Sequence, residues 1–479
     1  MNRPSSGRRV LMLSAGMLRP KKLGNPFASW HRYLNYGLLG LATRLQRLGH
    51  VPRVFHGHFS DPERFVMHLD RTGWLRTGAP VFLSIPSSYA LPWAATACRA
   101  IRRLDPGARI VVGGRWVVAQ DGDWIRTQVP DSDLVVYGLA DELIAQLMQP
   151  RAWRWSPNTD RSIVPASTST AGRLLSELDY GLLDGHEEFT PSFEVSRGCG
   201  RGCTFCAEAK VKLSDMKCPR ALASEIAACQ DVCGRRDVRA FLEASMFMPT
   251  RPWIAGLRQA FDERGIDLRW RTETRVDHLP PARLAELARC GLRVLDLGLE
   301  SASPVQLRRM EKTQSPDAYL RKASELLNAC HDHGVWPKVN VLLHPGEDAG
   351  TVAQTREWLD DHARFIKGVS AGPMILYRYG PSTHDDLRGL ERQGARAVDP
   401  AGLDTVGFTH LHLSDSMSHA QSNAAALEIS RSMMTARDYY DLKAFSYFPP
   451  ASTFERFMEV ASSGPADLPF SMAKEPVAA

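Results

Sequence analysis

Two separate runs of alternating strands and helices constrain the fold of this chain more than any other feature. In residues 1–150, β-branched and apolar runs predict five strands, at 9–14, 51–55, 80–85, 108–113 and 134–137. Apolar residues at helical spacing predict helices at 36–48 and 91–104. The strands are apolar throughout, which is typical of a parallel sheet covered by helices on both faces. We therefore expect a doubly wound α/β domain over residues 1–150.

The second run begins near residue 191 and extends to about residue 385. It predicts strands at 192–195, 238–243, 268–272, 293–299, 337–343 and 373–376, with a helix after each of the first five. Six such units predict a partial (β/α)6 barrel with its active site at the carboxyl ends of the strands. The Pro-, Ser- and Thr-rich residues 151–190 predict a linker. Residues 386–479 have a weaker pattern, with one helix near 422–435, and we expect them to shape the substrate pocket.

Composition excludes several broad classes of protein. Of the 479 residues, 44% are hydrophobic and 23% are charged, which is typical of a folded protein rather than a disordered one. The net charge of +6 is not gathered into a basic run, so nucleic-acid binding is not expected. The chain has no stretch of about 18 apolar residues that could span a membrane. Its apolar run near the N-terminus is too short for a signal peptide.

Three of the nine cysteines form a C-x3-C-x2-C motif, Cys199, Cys203 and Cys206, interleaved with glycines. Three thiolates on one short loop can bind three corners of an iron–sulfur cubane and leave the fourth iron open. Structural zinc is the main alternative, but it needs a fourth ligand, and no other Cys or His lies within ten residues. The remaining cysteines, which include Cys229 and Cys233, are interpreted as packing residues in a reducing cytoplasm.

Residues 194–206, Glu-Val-Ser-Arg-Gly-Cys-Gly-Arg-Gly-Cys-Thr-Phe-Cys, resemble the signature of the radical S-adenosylmethionine (SAM) enzymes. Residues 272–277, 299–303 and 344–347 resemble strand ends of the same family. The resemblance implies a [4Fe–4S] cluster that is held by the three cysteines and binds SAM at its open iron. It also implies reductive cleavage of SAM to a 5′-deoxyadenosyl radical, which abstracts a hydrogen atom from the substrate.

The resemblance further implies which side chains meet SAM. These are Phe205 beside the third cysteine and five polar residues at strand ends: Glu243, Glu273, Arg275, Glu300 and Ser301. The candidates for a catalytic role are Tyr377 and Glu273. Each carboxylate has an alternative interpretation as a member of a structural ion pair.

The first 150 residues resemble the Rossmann-like cobalamin-binding domain that precedes many radical SAM domains. Small residues follow its predicted strands, where a large ligand would lie close to the backbone. The predicted cobalamin contacts are Ser14, Gly16, Ser84, Pro86, Gly113, Gly114, Gly138 and Glu142. The cobalamin-binding motif Asp-x-His-x-x-Gly is absent, so we expect cobalamin to bind with its base displaced and with no His ligand. The alternative is a domain that has kept the fold and lost the ligand.

Together these resemblances imply a cytoplasmic, cobalamin-dependent radical SAM enzyme. The reaction we expect is that of a C-methyltransferase with methylcobalamin as methyl donor. We expect a small-molecule or peptide substrate, as in natural-product or peptide modification, and an external reductant of the flavodoxin or ferredoxin type. Two alternatives stay open. One is a radical SAM enzyme that catalyses cyclisation, oxidation or rearrangement, with or without cobalamin. The other is a non-catalytic iron–sulfur protein.

Overall fold

The computed structural model describes residues 7–22, 24–114, 122–149, 178–380, 382–464 and 467–472, and the backbone of residues 163–165. Its N-terminal part is a six-stranded parallel sheet with the strand order β2-β1-β3-β4-β5-β6. The strands are β1 Arg9–Ser14, β2 Val51–His56, β3 Val81–Ser84, β4 Ile110–Gly113, β5 Leu134–Tyr137 and β6 Ile163–Pro165. The helices are α1 Tyr36–Arg47, α2 Pro62–Arg71, α3 Leu91–Leu104, α4 Gly122–Gln128 and α5 Ile144–Leu147.

Helices cover both faces of this sheet, as the apolar strands predict. Val10 and Met12 of β1 belong to the core that contains α1 and α5. The alternate residues Leu11 and Leu13 belong to a second core that contains α2, α3 and α4. Successive side chains of a strand point to opposite faces, so both faces of β1 are buried. The prediction of a doubly wound sheet is confirmed.

The sheet has one strand more than the sequence predicts. Strand β6 pairs in parallel with β5, with Val135 opposite Ile163 and Tyr137 opposite Pro165. It lies within residues 151–190, which the Pro- and Ser-rich composition assigned entirely to a linker. A strand of three residues at a sheet edge is too short to give a periodic signal, so the prediction of five strands was wrong.

The second part is a six-stranded parallel sheet with the strands in sequential order, from β7 at one edge to β12 at the other. Its strands are β7 Ser192–Glu194, β8 Arg239–Glu243, β9 Arg269–Arg275, β10 Leu292–Glu300, β11 Trp336–Leu343 and β12 Gly368–Pro373. The helices are α6 Pro219–Cys233, α7 Arg251–Arg264, α8 Leu284–Arg289, α9 Pro304–Arg309, α10 Pro316–Asp332 and α11 Ala349–Asp361. This arrangement is the predicted partial barrel, with β7 and β12 as its two edges.

The sixth barrel strand lies earlier than the sequence predicts. The expected strand at 373–376 is replaced by β12 and, immediately after it, by β13 Ile375–Tyr377, which belongs to a different sheet. Strand β12 has small residues because a Cβ at Gly368 would lie 2.6 Å from Met434 Sδ and 2.8 Å from Leu442 Cδ1. This packing joins residues more than sixty positions apart, so the local pattern could not indicate it.

The C-terminal part is more structured than the single predicted helix. It contains a three-stranded antiparallel sheet of β13, β14 Arg396–Ala397 and β15 Phe408–His412, in the order β13-β15-β14. Its helices are α12 Thr383–Glu391, α13 Gly402–Thr405, α14 His419–Met433, α15 Ala436–Ser446 and α16 Phe454–Ser463. Phe27 of the N-terminal part stacks on Phe457 of α16 at a centroid distance of 4.2 Å. The two ends of the chain therefore share an aromatic core.

None of the helices in the described residues is both long enough and apolar enough to cross a lipid bilayer.

A buried ion pair of the barrel also binds the end of the segment that joins the two parts of the chain. Lys217 Nζ lies 2.6 Å from Glu225 Oε2, and the Glu225 side chain is completely buried in α6. Glu225 Oε1 accepts a hydrogen bond of 3.1 Å from the backbone N–H of Leu178. A buried ammonium that loses its carboxylate keeps the cost of desolvation without the compensating attraction.

We predict that Glu225→Ala lowers the free energy of unfolding by about 3–5 kcal/mol, because it leaves the Lys217 ammonium buried and unpaired. Urea unfolding followed by tryptophan fluorescence measures the change. The double variant Lys217→Met/Glu225→Met is the control, and it should be more stable than the single variant. A single variant as stable as the wild type would contradict this account of the pair.

Candidate active site

The cysteine motif follows the first barrel strand and folds back on itself. Gly198, Gly200 and Gly202 have φ angles of 75°, 67° and 80°, a region that favours glycine. Cys199 N donates to Val211 O at 2.9 Å. A Cβ at Gly198 would lie only 2.4 Å from the carbonyl oxygen of Lys212. The glycines are therefore required by the compact loop that presents the three thiols.

Positive charge lies beside the thiols. Arg275, at the end of β9, places Nη1 3.3 Å from Cys203 Sγ. Its guanidinium is held by Asp277, with Nε 3.0 Å from Oδ1, and by the carbonyl oxygen of Lys312 at 2.6 Å. Burial raises the pKa of Cys199, whereas the charges of Arg275 and Lys312 oppose that rise. The two cations thus work against the effect of burial, in the direction that thiolate ligands of a cluster require.

A second group of polar residues lies next to the cysteine loop, at the end of β10. Glu300 has a φ of 67°, and the pairing of β10 with β11 shifts register between Gly298 and Glu300. The Glu300 carboxylate pairs with Lys312 Nζ at 3.1 Å. The same ammonium lies 5.8 Å from the centre of the Phe205 ring. Of the residues predicted to meet SAM, Phe205 and Glu300 therefore come together beside the cysteines.

A large cavity lies between the N-terminal sheet and the barrel. Its volume is about 1140 Å³, above the roughly 300–1,000 Å³ that small-molecule pockets usually have. From the N-terminal sheet it is lined by seven of the predicted cobalamin contacts: Ser14, Gly16, Ser84, Pro86, Gly113, Gly114 and Gly138. From the barrel it is lined by Glu194, Gly198, Glu243 and Glu273, among others. The sheet edge and the cysteine loop thus face one shared space.

Asn35, which the sequence analysis did not single out, organises the sheet edge. Its Nδ2 donates to Ser14 Oγ at 3.1 Å and to Ser84 Oγ at 2.9 Å. Its backbone N–H donates to His56 Nε2 at 3.0 Å. Asn35 also caps α1, since its Oδ1 accepts from Leu38 N at 3.1 Å. The only signal for it in the sequence is an Asn one position before a predicted helix.

The sheet-edge glycines have a structural reason that the sequence did not indicate. A Cβ at Gly16 would lie 2.5 Å from the carbonyl oxygen of His58. One at Gly114, whose φ is 111°, would lie 2.6 Å from Ile85 N. Both glycines are thus required by close approach of neighbouring backbone, in addition to lying on the cavity wall.

Comparison with known proteins gives a family match and matches to solved structures. Residues 193–359 match the sequence profile of the Radical SAM superfamily. This part of the chain is a radical SAM domain. The superfamily's cofactors are a [4Fe–4S] cluster and SAM, in agreement with the cysteine motif. No curated protein sequence matches the chain at a significant level.

Two solved structures share the whole arrangement of the chain. One is the radical SAM methyltransferase TsrM from Kitasatospora setae, solved with tryptophan substrate and a SAM analogue. Its sequence is 16% identical to this chain, and the TM-score is 0.65 over 90% of this chain and 91% of TsrM. The other is the cobalamin-dependent radical SAM enzyme OxsB with aqua-cobalamin, at 12% identity and a TM-score of 0.61, over 91% of this chain and 67% of that one. The fold is therefore that of cobalamin-dependent radical SAM enzymes, as predicted.

Several predicted site residues lie away from the cavity or have other partners. Ser301 is buried, and its hydroxyl hydrogen-bonds Thr355 Oγ1 at 3.1 Å and accepts from Ser303 N. Tyr377 lies on β13, where its ring is 6.1 Å from that of Phe408, and it does not line this cavity. Its placement near the barrel opening depended on the misplaced sixth strand. Glu142 is also not among the lining residues.

We predict that replacing Cys199, Cys203 and Cys206 together with Ala abolishes the ~400 nm absorbance of anaerobically reconstituted protein, because the three thiolates hold the cluster. Iron and sulfide assays should fall from about four per chain to background. The matched control is Cys229→Ser/Cys233→Ser, whose sulfur atoms lie 4.0 Å apart on α6. It should retain the full iron content. A triple variant that keeps its iron would exclude these ligands.

Proposed function

We propose that this chain is a cobalamin-dependent radical SAM enzyme that methylates a carbon atom of a small-molecule or peptide substrate. The observation that carries the proposal is the shared cavity, which joins the edge of a Rossmann-like sheet to the barrel wall beside the cysteine loop. An enzyme that needs a corrinoid and a SAM-derived radical at one substrate must bring both to one space. The similar fold of TsrM, a radical SAM methyltransferase solved with cobalamin and a [4Fe–4S] cluster, supports the proposal.

The barrel residues fit the cluster and SAM. Cys199, Cys203 and Cys206 would hold the cluster, and the Arg275 guanidinium next to Cys203 would stabilise its negative charge. Phe205 and Glu300 would contact SAM, and Lys312 pairs with the Glu300 carboxylate. Glu243 and Glu273 line the cavity, where they would face the same molecules. When bound, the cluster and SAM supply hydrogen abstraction, and cobalamin supplies the methyl group.

The small and polar residues of the sheet edge fit a corrin ring. The Asn35 side chain fills the space above β1 and β3, where it bonds both Ser14 and Ser84. His56, which lines the cavity, uses Nε2 as an acceptor for Asn35 N. Burial lowers the pKa of His56 to about 3, so its ring is neutral at pH 7 and positioned by Asn35. These contacts give a polar but uncharged surface at the place where the corrin ring would bind.

The proposed partners follow from the same chemistry. Reductive cleavage of SAM consumes an electron, which a flavodoxin or ferredoxin would supply to the cluster. All nine cysteines are free, and six of them lie outside the motif, in agreement with a reducing cytoplasm. The substrate is a small molecule or a peptide with a side chain that enters the cavity.

We predict that Gly37→Phe abolishes corrinoid binding. Gly37 lies in the first turn of α1 and lines the cavity, and a Cβ there would have only Asn35 Oδ1 within 4 Å, at 3.9 Å. A phenyl ring would therefore fill the cavity without backbone strain. Wild-type protein supplied with hydroxocobalamin should retain about one corrinoid per chain, whereas the variant should retain less than about a tenth of that.

The control is Gly389→Phe on α12, where a Cβ would meet only Arg392 Nη2, at 3.8 Å, outside this cavity. It should bind corrinoid as the wild type does. The same samples, reduced and given SAM labelled in its methyl group, test the reaction: label should enter the corrinoid fraction of wild type and control only. Corrinoid retention without label transfer would favour a radical reaction other than methylation. No retention by the wild type would contradict the proposal.

A further inference from the structure

Lysine side chains from three distant parts of the chain line one end of the cavity. Lys22 comes from the segment after β1, Lys338 from β11 and Lys443 from α15. Arg271 of β9 lines the cavity with them. We call Lys22, Lys338 and Lys443 the lysine cluster. Lys338 and Lys443 belong to the barrel and the C-terminal part, whereas Lys22 belongs to the N-terminal part.

One carboxylate is shared by two of the cations at this end. Asp296 Oδ1 lies 2.7 Å from Arg271 Nη2 and 3.2 Å from Lys338 Nζ. The side chains of Arg271 and Asp296 are almost fully buried, at 1% and 4% exposure. Lys338 also donates to Asn340 Oδ1 at 2.6 Å. The single negative charge of Asp296 can neutralise only one of the two positive charges of Arg271 and Lys338. A net positive charge therefore remains at this end of the cavity.

Lys443 has no carboxylate partner and no hydrogen-bond acceptor among the described residues. Its ammonium lies 5.5 Å and 5.2 Å from the ring centres of Tyr439 and Tyr447. The charged groups that act on it most are the cations Lys338, Arg271 and Lys22 and the carboxylate of Asp296. Glu243 and Glu273 also line the cavity.

The unpaired ammonium is costly. Burial, followed by the charges of Lys338 and Arg271, lowers the pKa of Lys443 to about 7. An ammonium without a counter-ion at such a site loses hydration that the two tyrosine rings replace only in part. An anion bound in the cavity would remove this cost, because a charge-assisted hydrogen bond to each lysine replaces the lost water.

We propose that the lysine cluster binds an anionic group of the substrate, a carboxylate or a phosphate, and so positions the substrate between the sheet edge and the barrel. This inference rests on the proposed function, since it takes the cavity to be the substrate site. The phosphodiester of cobalamin offers the same chemistry. Lys338 and Lys443 lie on the barrel and α15, not at the sheet edge where the corrin ring would bind. We therefore assign the lysine cluster to the substrate.

The test uses holoenzyme loaded with the [4Fe–4S] cluster and cobalamin. The probes are inorganic phosphate and acetate. Thermal denaturation midpoints are measured against probe concentration, with chloride at matched ionic strength as reference. Wild-type protein should be stabilised saturably by at least one probe. Lys443→Met should weaken that apparent affinity about tenfold, as expected for the loss of one charge-assisted hydrogen bond. Lys443→Arg should retain it.

The matched control is Lys322→Met, a change at an exposed lysine of α10, and it should leave the affinity unchanged. If Lys443→Met does not fold, Lys22→Met gives the same test from the opposite wall. One result would overturn the inference and leave the proposed function intact. In it, wild-type holoenzyme binds corrinoid and transfers label, but neither probe stabilises it in a way that depends on the lysine cluster. Loss of corrinoid from Lys443→Met would also overturn it, by assigning the anion to cobalamin.

Discussion

The packing of the N-terminal sheet against the barrel through one continuous apolar core is the constraint on which the rest of the structure depends. Val10 and Met12 of β1 share that core with Leu39 of α1 and with Phe193 of β7. Tyr180, in the segment that joins the two parts, donates its hydroxyl to the carbonyl oxygen of Ser192 at 2.8 Å. Because apolar burial fixes one part against the other, the polar edges beside this core must face each other across a cavity.

The sequence predicts those elements whose signal is local. Helix α6 follows the first barrel strand as predicted, because Pro219 opens it and Gly234, with a φ of 64°, ends it. Strand β6 was missed because three residues are too few for a periodic pattern, and strand β12 was misplaced because it depends on distant partners. Strand β12 is built from small residues so that Met434 and Leu442 can pack against Gly368.

The same distinction holds at the site. The three cysteines could be predicted because their ligand spacing is contained in eight residues. Glu300 could be named from the strand end, but its left-handed backbone and its pairing with Lys312 could not. Asn35 and Lys443 gave no signal, because an Asn before a helix and a Lys within a helix are ordinary. Only the fold brings Asn35 to Ser14 and Ser84, and Lys443 to Lys338.

The central claim is that the corrinoid and the cluster occupy one shared space, and their magnetic interaction tests it most directly. Holoenzyme is reduced so that cobalt is present as Co(II) and the cluster as [4Fe–4S]⁺, both of which are paramagnetic. Pulsed electron paramagnetic resonance then measures the dipolar coupling between them. The account predicts a clear coupling in the doubly reduced sample that disappears when the cluster is left oxidised. A Co(II) signal that is the same with the cluster reduced or oxidised would contradict it.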